Sequence, residues 1–264
     1  FDINCGFNLL SYQILKKTVM HLSVIVLTEN SGLSLNRCLS SLKDLAREII
    51  VIDDYSTDAT LAIAKKFSAC IFRRHLNHDF ASQRNFALTK SRFSWVLFVD
   101  SDEQISKPLA AEIVSQLSQK TPTQGFFLKR QDVFMGRTLR FGETAHVRLM
   151  RLAAKNTGVW RRPVHEVWEV TGPTQTLNHP LYHYPHPTIK SFINKIDSYT
   201  ALEANLRHQI HPSLLIVFFQ MLTFPLAKFV DNYLFKLGIL DGLPGLVMAL
   251  MMSYHSFMVR LKLL

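Results

Sequence analysis

"SWVLFVDSDEQIS", residues 94–106, is an apolar strand that runs directly into three carboxylates, Asp100, Asp102 and Glu103. The uninterrupted run from Trp95 to Val99 is the pattern of a strand buried on both faces, as in a parallel sheet. Upstream, "HLSVIVLT" (21–28) and "EIIVID" (48–53) repeat it, and "ACIF" (69–72) adds a shorter strand. Helical spacings lie between them. Leu35, Cys38, Leu39, Leu42 and Leu45 form the first, and Leu61, Ile63, Ala64 and Phe67 the second, behind the capping stretch "STDAT". The third is "FASQRNFALTKS". Strands and helices alternating over about 85 residues predict a doubly wound α/β domain with a mostly parallel sheet flanked by helices. Such domains bind ligands at the carboxyl ends of their strands, where Asp53, Asp54, Asp100 and Asp102 all fall.

Beyond residue 106, "EIVSQLSQ" predicts another helix, and residues 125–170 read as antiparallel strands that finish the sheet and wall the cleft. From "PHPTIKSFINKIDSYTALEANL" the period turns helical, with Ile189, Phe192, Ile193, Ile196, Tyr199 and Leu206 on one face. That change places a domain boundary near Pro185. The end of the chain is dominated by Leu, Phe, Val and Met, and no Asp, Glu, Lys or Arg occurs from Gly242 to Val259. This is close to the ~20 residues of a bilayer span. Gly242, Pro244, Gly245 and His255 dilute it, and Lys228, Lys236, Arg260 and Lys262 are spaced like interfacial anchors. Helices lying in or dipping into the membrane surface are therefore expected rather than a complete crossing or a soluble bundle that simply packs the domain. The predicted organisation is an accessory segment 1–19, with a natural start at Met20, a catalytic domain 20–185 and a membrane-associating helical region 186–264.

Of 264 residues, 30 are Lys or Arg and 20 are Asp or Glu, a formal charge of +10 that favours polyanionic partners such as anionic lipid, phosphorylated substrates or nucleic acid. The basic residues are scattered and no recognition motif occurs, which speaks against nucleic acid. A hydrophobic content of 48% excludes disorder. The three cysteines, Cys5, Cys38 and Cys70, have no C-x-x-C spacing, so neither a disulfide framework nor a zinc knuckle is indicated and a reducing cytoplasm fits best.

No G-x-G-x-x-G follows the first strand and no Walker motif occurs, which argues against a nicotinamide cofactor or a P-loop. Two carboxylates at i and i+2 leaving a strand, Asp100 and Asp102, can face one side and hold a hard divalent cation that takes phosphate oxygens as further ligands. The plainer alternative is a solvated turn. "VIDDYSTD" sets Asp53 and Asp54 at a neighbouring strand end, where a carboxylate can accept from a nucleobase N–H or a ribose hydroxyl. Thr57 and Asp58 read instead as a helix cap.

Together "LSVIVLTEN", "EIIVIDDYSTDAT", "FASQRNFAL" and "WVLFVDSDE", in this order over residues 21–106, resemble the family 2 glycosyltransferases of GT-A fold. The second half, with "RLMRL", "RRPVHEVWEV" and "LYHYPHPTI", more loosely resembles bacterial lipopolysaccharide core glucosyltransferases. The resemblance implies a nucleotide-sugar donor contacted by Thr28, Glu29, Asp54, Arg84, Asn85 and Asp100. It also implies Mg²⁺ or Mn²⁺ on Asp100 and Asp102, with Asp102 the more direct ligand. Two departures concern the nucleotide: Glu29 stands where Asn or Tyr is usual, and Tyr55 where Gly is usual.

An inverting transfer needs a base for the acceptor hydroxyl. Glu166 in "PVHEVWE" is the candidate, against the plainer reading of an outward residue paired with Arg161 or Arg162. His179, His183 and His186 are interrupted by prolines, so one of them, His183 or His186, is a candidate for the D-x-D metal rather than the group. Arg148, Arg151, Arg161 and Arg162 form a candidate basic cluster for a diphosphate, or simply a solvated face. The leading expectation is a metal-dependent inverting glycosyltransferase at the cytoplasmic face of the bacterial plasma membrane, acting on a cell-envelope glycan or a lipid-linked acceptor. The alternatives are a polyprenyl-phosphate glycosyltransferase and a non-catalytic nucleotide-sugar-binding scaffold.

Overall fold

The computed structural model describes residues 20–208 and 213–264; the proposed accessory segment 1–19 lies outside the described residues. Contacts divide the chain into two compact units, one of residues up to Lys129 together with Arg148–Leu181, the other of Arg130–Val147 and Tyr182–Leu264.

In the N-terminal unit, β1 (Met20–Thr28), β2 (Ala46–Asp53), β3 (Cys70–Arg73) and β4 (Trp95–Asp100) lie in the order β3-β2-β1-β4, all parallel. The chain steps from β1 to β2 and β3 on one side, then returns to lay β4 against β1 on the other. This reversal makes a crevice at the carboxyl ends of β1 and β4. Leu27 pairs with Asp100 across it, and Thr28 with Asp53 on the other side of β1. The sheet then turns antiparallel at β8 (Arg148–Ala154) and β6 (Gly125–Phe134), which β7 (Arg137–Thr138) also pairs antiparallel, and continues to β11 (Thr174–His183) and the short β5 (Glu103–Ile105). The expected mostly parallel sheet is thus a mixed one, parallel in its first four strands.

Side-chain alternation assigns the two faces. Leu22, Val24, Val26, Val51, Leu97 and Val99 pack with α1 (Leu35–Leu42) and α4 (Lys107–Ser118). Ile25, Ile50, Ile52, Val96 and Phe98 point the other way, toward α3 (Phe80–Lys90) and Trp160 and Trp168. The short α2 (Thr60–Lys66) completes the set. Both faces of the sheet are covered, which is why these strands read as unbroken apolar runs. Glu48, buried in β2, accepts from Ser23 Oγ (2.6 Å), Arg92 N (3.0 Å) and Arg92 Nε (2.5 Å). Burial works against its charge, but these hydrogen bonds outweigh it and hold its carboxyl below its ordinary value.

The C-terminal unit holds α5 (Ile189–His208), α6 (Leu214–Val230) and α7 (Leu243–Leu261), and a π-turn over Asp231–Phe235 and a 3₁₀ turn over Gly238–Asp241 lead from α6 to α7. The buried stripe of α5 is Phe192, Ile196, Thr200 and Ala204, one residue every four. Ile189, Ile193 and Tyr199, expected on that face, are exposed, and nothing is described of the Leu206 side chain. Gly245 opens α7 where its backbone meets the carbonyl of Gly238, and a Cβ there would collide with that oxygen.

Among the described residues the helix long and apolar enough to cross a bilayer is Leu214–Phe235, with mean hydropathy 1.7, not the charge-free run from Gly242. Pro244, Met248, Ala249 and Val259 of that later run are buried in the unit. Leu215, Phe219, Leu226 and Phe235 are instead mostly exposed.

Candidate active site

The crevice at the end of β4 is built around Asp100. Its carboxylate receives Arg84 Nη2 at 2.9 Å and is also paired with Arg151. Burial disfavours the Asp100 charge, but the Arg151 and Arg84 guanidinium groups outweigh burial and hold the carboxyl well below the usual carboxylate range. Reciprocally, Asp100 and Glu103 raise Arg151 above its ordinary value despite its own burial. Glu103 is fully buried; its Oε2 accepts from the backbone N–H of Asp100 at 2.8 Å, which sets the turn after β4.

Arg84 also reaches Glu166. Its Nε and Nη2 donate to Glu166 Oε1 at 3.0 and 2.8 Å, so one guanidinium bridges the candidate base and the first aspartate of the D-x-D. Arg84 is 2% exposed, and its Cζ lies 4.7 Å from the centre of the Trp160 ring and 5.4 Å from that of Phe98. Its Nη1 is buried with no hydrogen-bond partner among the described residues. A buried guanidinium N–H left unpaired is costly and is a waiting donor for an anionic oxygen.

Glu166 is presented by a hairpin, β9 (Gly158–Arg161) and β10 (Val167–Val170). Trp160 and Trp168 stack on each other at 5.3 Å and meet Phe98 edge-on at 5.0 and 5.1 Å. This packing fixes the hairpin on β4. Its loop holds two non-glycine residues in the left-handed region, Arg162 (φ 67°) and His165 (φ 54°), a conformation that side chains resist and tertiary contacts must hold. The Phe80 N–H donates to the Pro163 carbonyl at 2.9 Å, tying the start of α3 to the same loop. Asp79 caps α3, accepting from the Ser82 N–H at 2.8 Å.

Several sequence expectations change in this setting. Asn85 does not face the crevice with a spare amide. Its side chain donates to the Trp160 carbonyl and accepts from the Trp160 N–H, both at 2.9 Å, so it clamps the hairpin to α3. Glu166 pairs with Arg84 and not with Arg161, whose partner is Glu169 at 3.5 Å. The four-arginine cluster separates: Arg151 is buried on Asp100, whereas Arg148, Arg161 and Arg162 are exposed. Arg148 and Arg151 are three apart on a strand and so face opposite ways. His183 lies in the C-terminal unit, where its Nδ1 is 2.8 Å from Asp132. Among the described residues no three His, Cys, Asp or Glu side chains gather as a metal-ligand cluster.

At the end of β2, Asp53 is fully buried and accepts from Thr28 Oγ1 at 3.3 Å and from the Ser56 N–H at 3.1 Å. Thr28 thereby joins β1 to β2, while the exposed Glu29 follows it at the strand end. Asp54 lies beyond and is 3.1 Å from His75 Nδ1. Tyr55, where glycine is the usual residue, keeps a left-handed backbone at φ 49°. Its ring stacks on His75 at 4.0 Å and carries Arg73 4.4 Å from its centre. Cys38 is buried under the D-x-D turn. Burial, with Glu103, Asp100 and Asp102 nearby, pushes its thiol well above the ordinary range and leaves it unreactive.

The model of glycosyl transferase family 2 matches residues 23–172. The chain belongs to that family. Lipopolysaccharide core biosynthesis glycosyltransferase LpsC of Rhizobium meliloti is 24% identical over 250 residues, covering 92% of this chain and 91% of its own length. An uncharacterized glycosyltransferase of Rickettsia bellii is 24% identical over 257 residues, covering 92% and 85%. A TPR repeat-containing protein of Synechococcus elongatus is 29% identical over 176 residues, and the match spans 61% of this chain but 42% of that protein. Among solved structures, S. aureus TarS 1–349 in complex with UDP is similar with TM-score 0.38 and 32% identity, over 45% of this chain and 37% of that one.

Proposed function

We propose that this glycosyltransferase moves a sugar from a nucleotide diphosphate to a hydroxyl of a cell-envelope glycan or lipid-linked acceptor, with inversion, at the cytoplasmic membrane surface. The observation that carries the reading is Arg84, a buried guanidinium that bridges Asp100 and Glu166 and still has an unpaired N–H for a donor oxygen. LpsC, similar along nearly its whole length, supports the envelope setting, and the exposed apolar side chains of α6 support the membrane surface.

We assign a divalent ion to Asp102, the second carboxylate of the D-x-D, which the family resemblance makes the more direct ligand; Asp100 is engaged by two arginines. One carboxylate completed by donor phosphates and water fits Mg²⁺ or Mn²⁺, which when bound would neutralise charge on the departing diphosphate. In the reaction the acceptor oxygen attacks the anomeric carbon from the face opposite the diphosphate and gives its proton to Glu166. The bond from that carbon to the diphosphate oxygen breaks, and the nucleoside diphosphate leaves. Of the two Glu166 oxygens Arg84 engages Oε1, so it holds the carboxylate in place while Oε2 takes the proton. We assign Thr28, Glu29 and Asp54, at the ends of β1 and β2, to the nucleoside, with the Tyr55 ring as an aromatic surface next in sequence.

A panel of UDP-, GDP- and dTDP-sugars, followed by hydrolysis and transfer with Mg²⁺ or Mn²⁺, tests the reading. At least one donor is expected to turn over, and Asp102→Ala to abolish turnover. Failure of every nucleotide sugar to bind would overturn it.

A further inference from the structure

The C-terminal unit holds a second polar centre. Asp132 is 3% exposed, and its carboxylate meets His183 Nδ1 at 2.8 Å and Arg130 Nε at 3.6 Å. Burial works against its charge, but His183 and Arg130 outweigh burial and hold the carboxyl down. These residues line a cavity of about 240 Å³ that Lys195 also borders, room for roughly eight waters. Arg130 and Lys195 supply two fixed positive charges against the single, already engaged carboxylate of Asp132. An excess of positive charge, with a buried Arg130 Nε–H that makes no hydrogen bond among the described residues, suits an anion.

The rest of the wall is apolar, with Phe192, Ile196, Met248 and Met252. Met252 and His255 are shared with a neighbouring cavity of about 460 Å³ that extends to Phe224 and Ala227 of α6. The acids of that second cavity are offset by bases: Glu143 by Lys228 at 2.9 Å, Asp231 by Lys236 at 2.7 Å, and Glu203 beside His255 at 3.9 Å. A cationic pocket therefore lies beside a charge-balanced cavity that Phe224 and Ala227 of α6 border. This is the profile of an amphiphile with a phosphate head and an apolar chain.

We infer that the C-terminal unit binds the phosphate of an amphipathic ligand, with Arg130, His183 and Lys195 on the phosphate and the cavity beyond Met252 along its chain. This ligand is the acceptor, or the lipid carrying it, and that assignment rests on the transferase reading above.

The test uses the full chain with octyl phosphate, inorganic phosphate and octanol as probes, by calorimetry. Octyl phosphate is expected to bind more tightly than either of the others. Lys195→Gln and Arg130→Gln should each weaken it about tenfold or more, as loss of a charge-assisted contact does, with UDP binding unchanged. Equal binding of octyl phosphate and octanol, or no loss in either variant, would overturn the pocket. Equal binding of octyl and inorganic phosphate would leave a free-phosphate site and overturn the amphiphile. UDP binding without octyl phosphate binding defeats this inference alone, whereas octyl phosphate binding without any nucleotide-sugar binding defeats the transferase reading alone.

Discussion

Arg84→Leu is expected to cost about 3 kcal/mol of stability, and the figure follows from what the guanidinium holds. Arg84 makes three charge-assisted hydrogen bonds, one to Asp100 at 2.9 Å and two to Glu166 at 3.0 and 2.8 Å. Removing one partner of a buried ion pair costs ~3–5 kcal/mol because the other charge is left uncompensated. Here Arg151 still engages Asp100, and the Asp100 and Glu166 side chains keep 31% and 18% exposure, so water takes over part of the lost solvation. Those two facts put the cost at the lower end of the range. With a shift of roughly 2–4 °C per kcal/mol for a chain of this size, the melting temperature should fall by about 6–12 °C. Circular dichroism melts and urea titrations of wild type, Arg84→Leu, Glu166→Gln and the double variant provide the check. The cycle should return a coupling of about 1.5–3 kcal/mol. Additivity within about 0.5 kcal/mol, or a melting temperature within about 2 °C of wild type, would refute the bridge.

Three further outcomes are expected. Glu166→Gln should lower transfer about 10²–10⁴-fold while UDP affinity changes by less than about twofold; near-normal turnover would remove Glu166 as the base. Glu48 has a folded-state pKa below its ordinary value, so its contribution is present above about pH 4.3 and is lost as pH falls through the folded value. Glu48→Gln should therefore lose about 2 kcal/mol at pH 7 and show a flatter decline in melting temperature from pH 5 to pH 3; a decline parallel to wild type would contradict this. Gly245→Ala places a methyl on the Gly238 carbonyl and should cost ~1–3 kcal/mol by overpacking, read as faster amide exchange in α7; exchange unchanged from wild type would exclude the close approach.

Much of the N-terminal unit was legible in the chain because its strands are covered on both faces. Burial on both sides selects unbroken apolar runs such as Trp95–Val99, and the helices between them repeat at 3.6 residues. The carboxylates at the strand ends were legible for the same reason, since charge can follow a buried strand only where the strand leaves the core. The partners of those carboxylates were not. Arg84 and Glu166 are 82 residues apart and Arg151 and Asp100 are 51 apart, and no local pattern encodes a pairing across the sheet. Asn85 and Arg84 are neighbours on α3, yet one clamps the Trp160 backbone and the other bridges two carboxylates, because a helix turns successive residues about 100° apart. In the C-terminal unit, hydropathy alone favoured the charge-free run from Gly242. Burial instead marks α6, with Lys228 and Asp231 at its end, as the exposed apolar element.

The sequence by itself determined the order of the strands' apolar runs, the positions of Asp53, Asp54, Asp100 and Asp102 at their ends, and hence the family. Tertiary structure alone decided which cation faces which carboxylate. It engaged Asp100 with Arg84 and Arg151, and it set His183 beside Asp132. The physical reason is that secondary-structure periodicity is written over a few residues, whereas an ion pair depends on distances that are fixed only when the sheet and hairpin have packed.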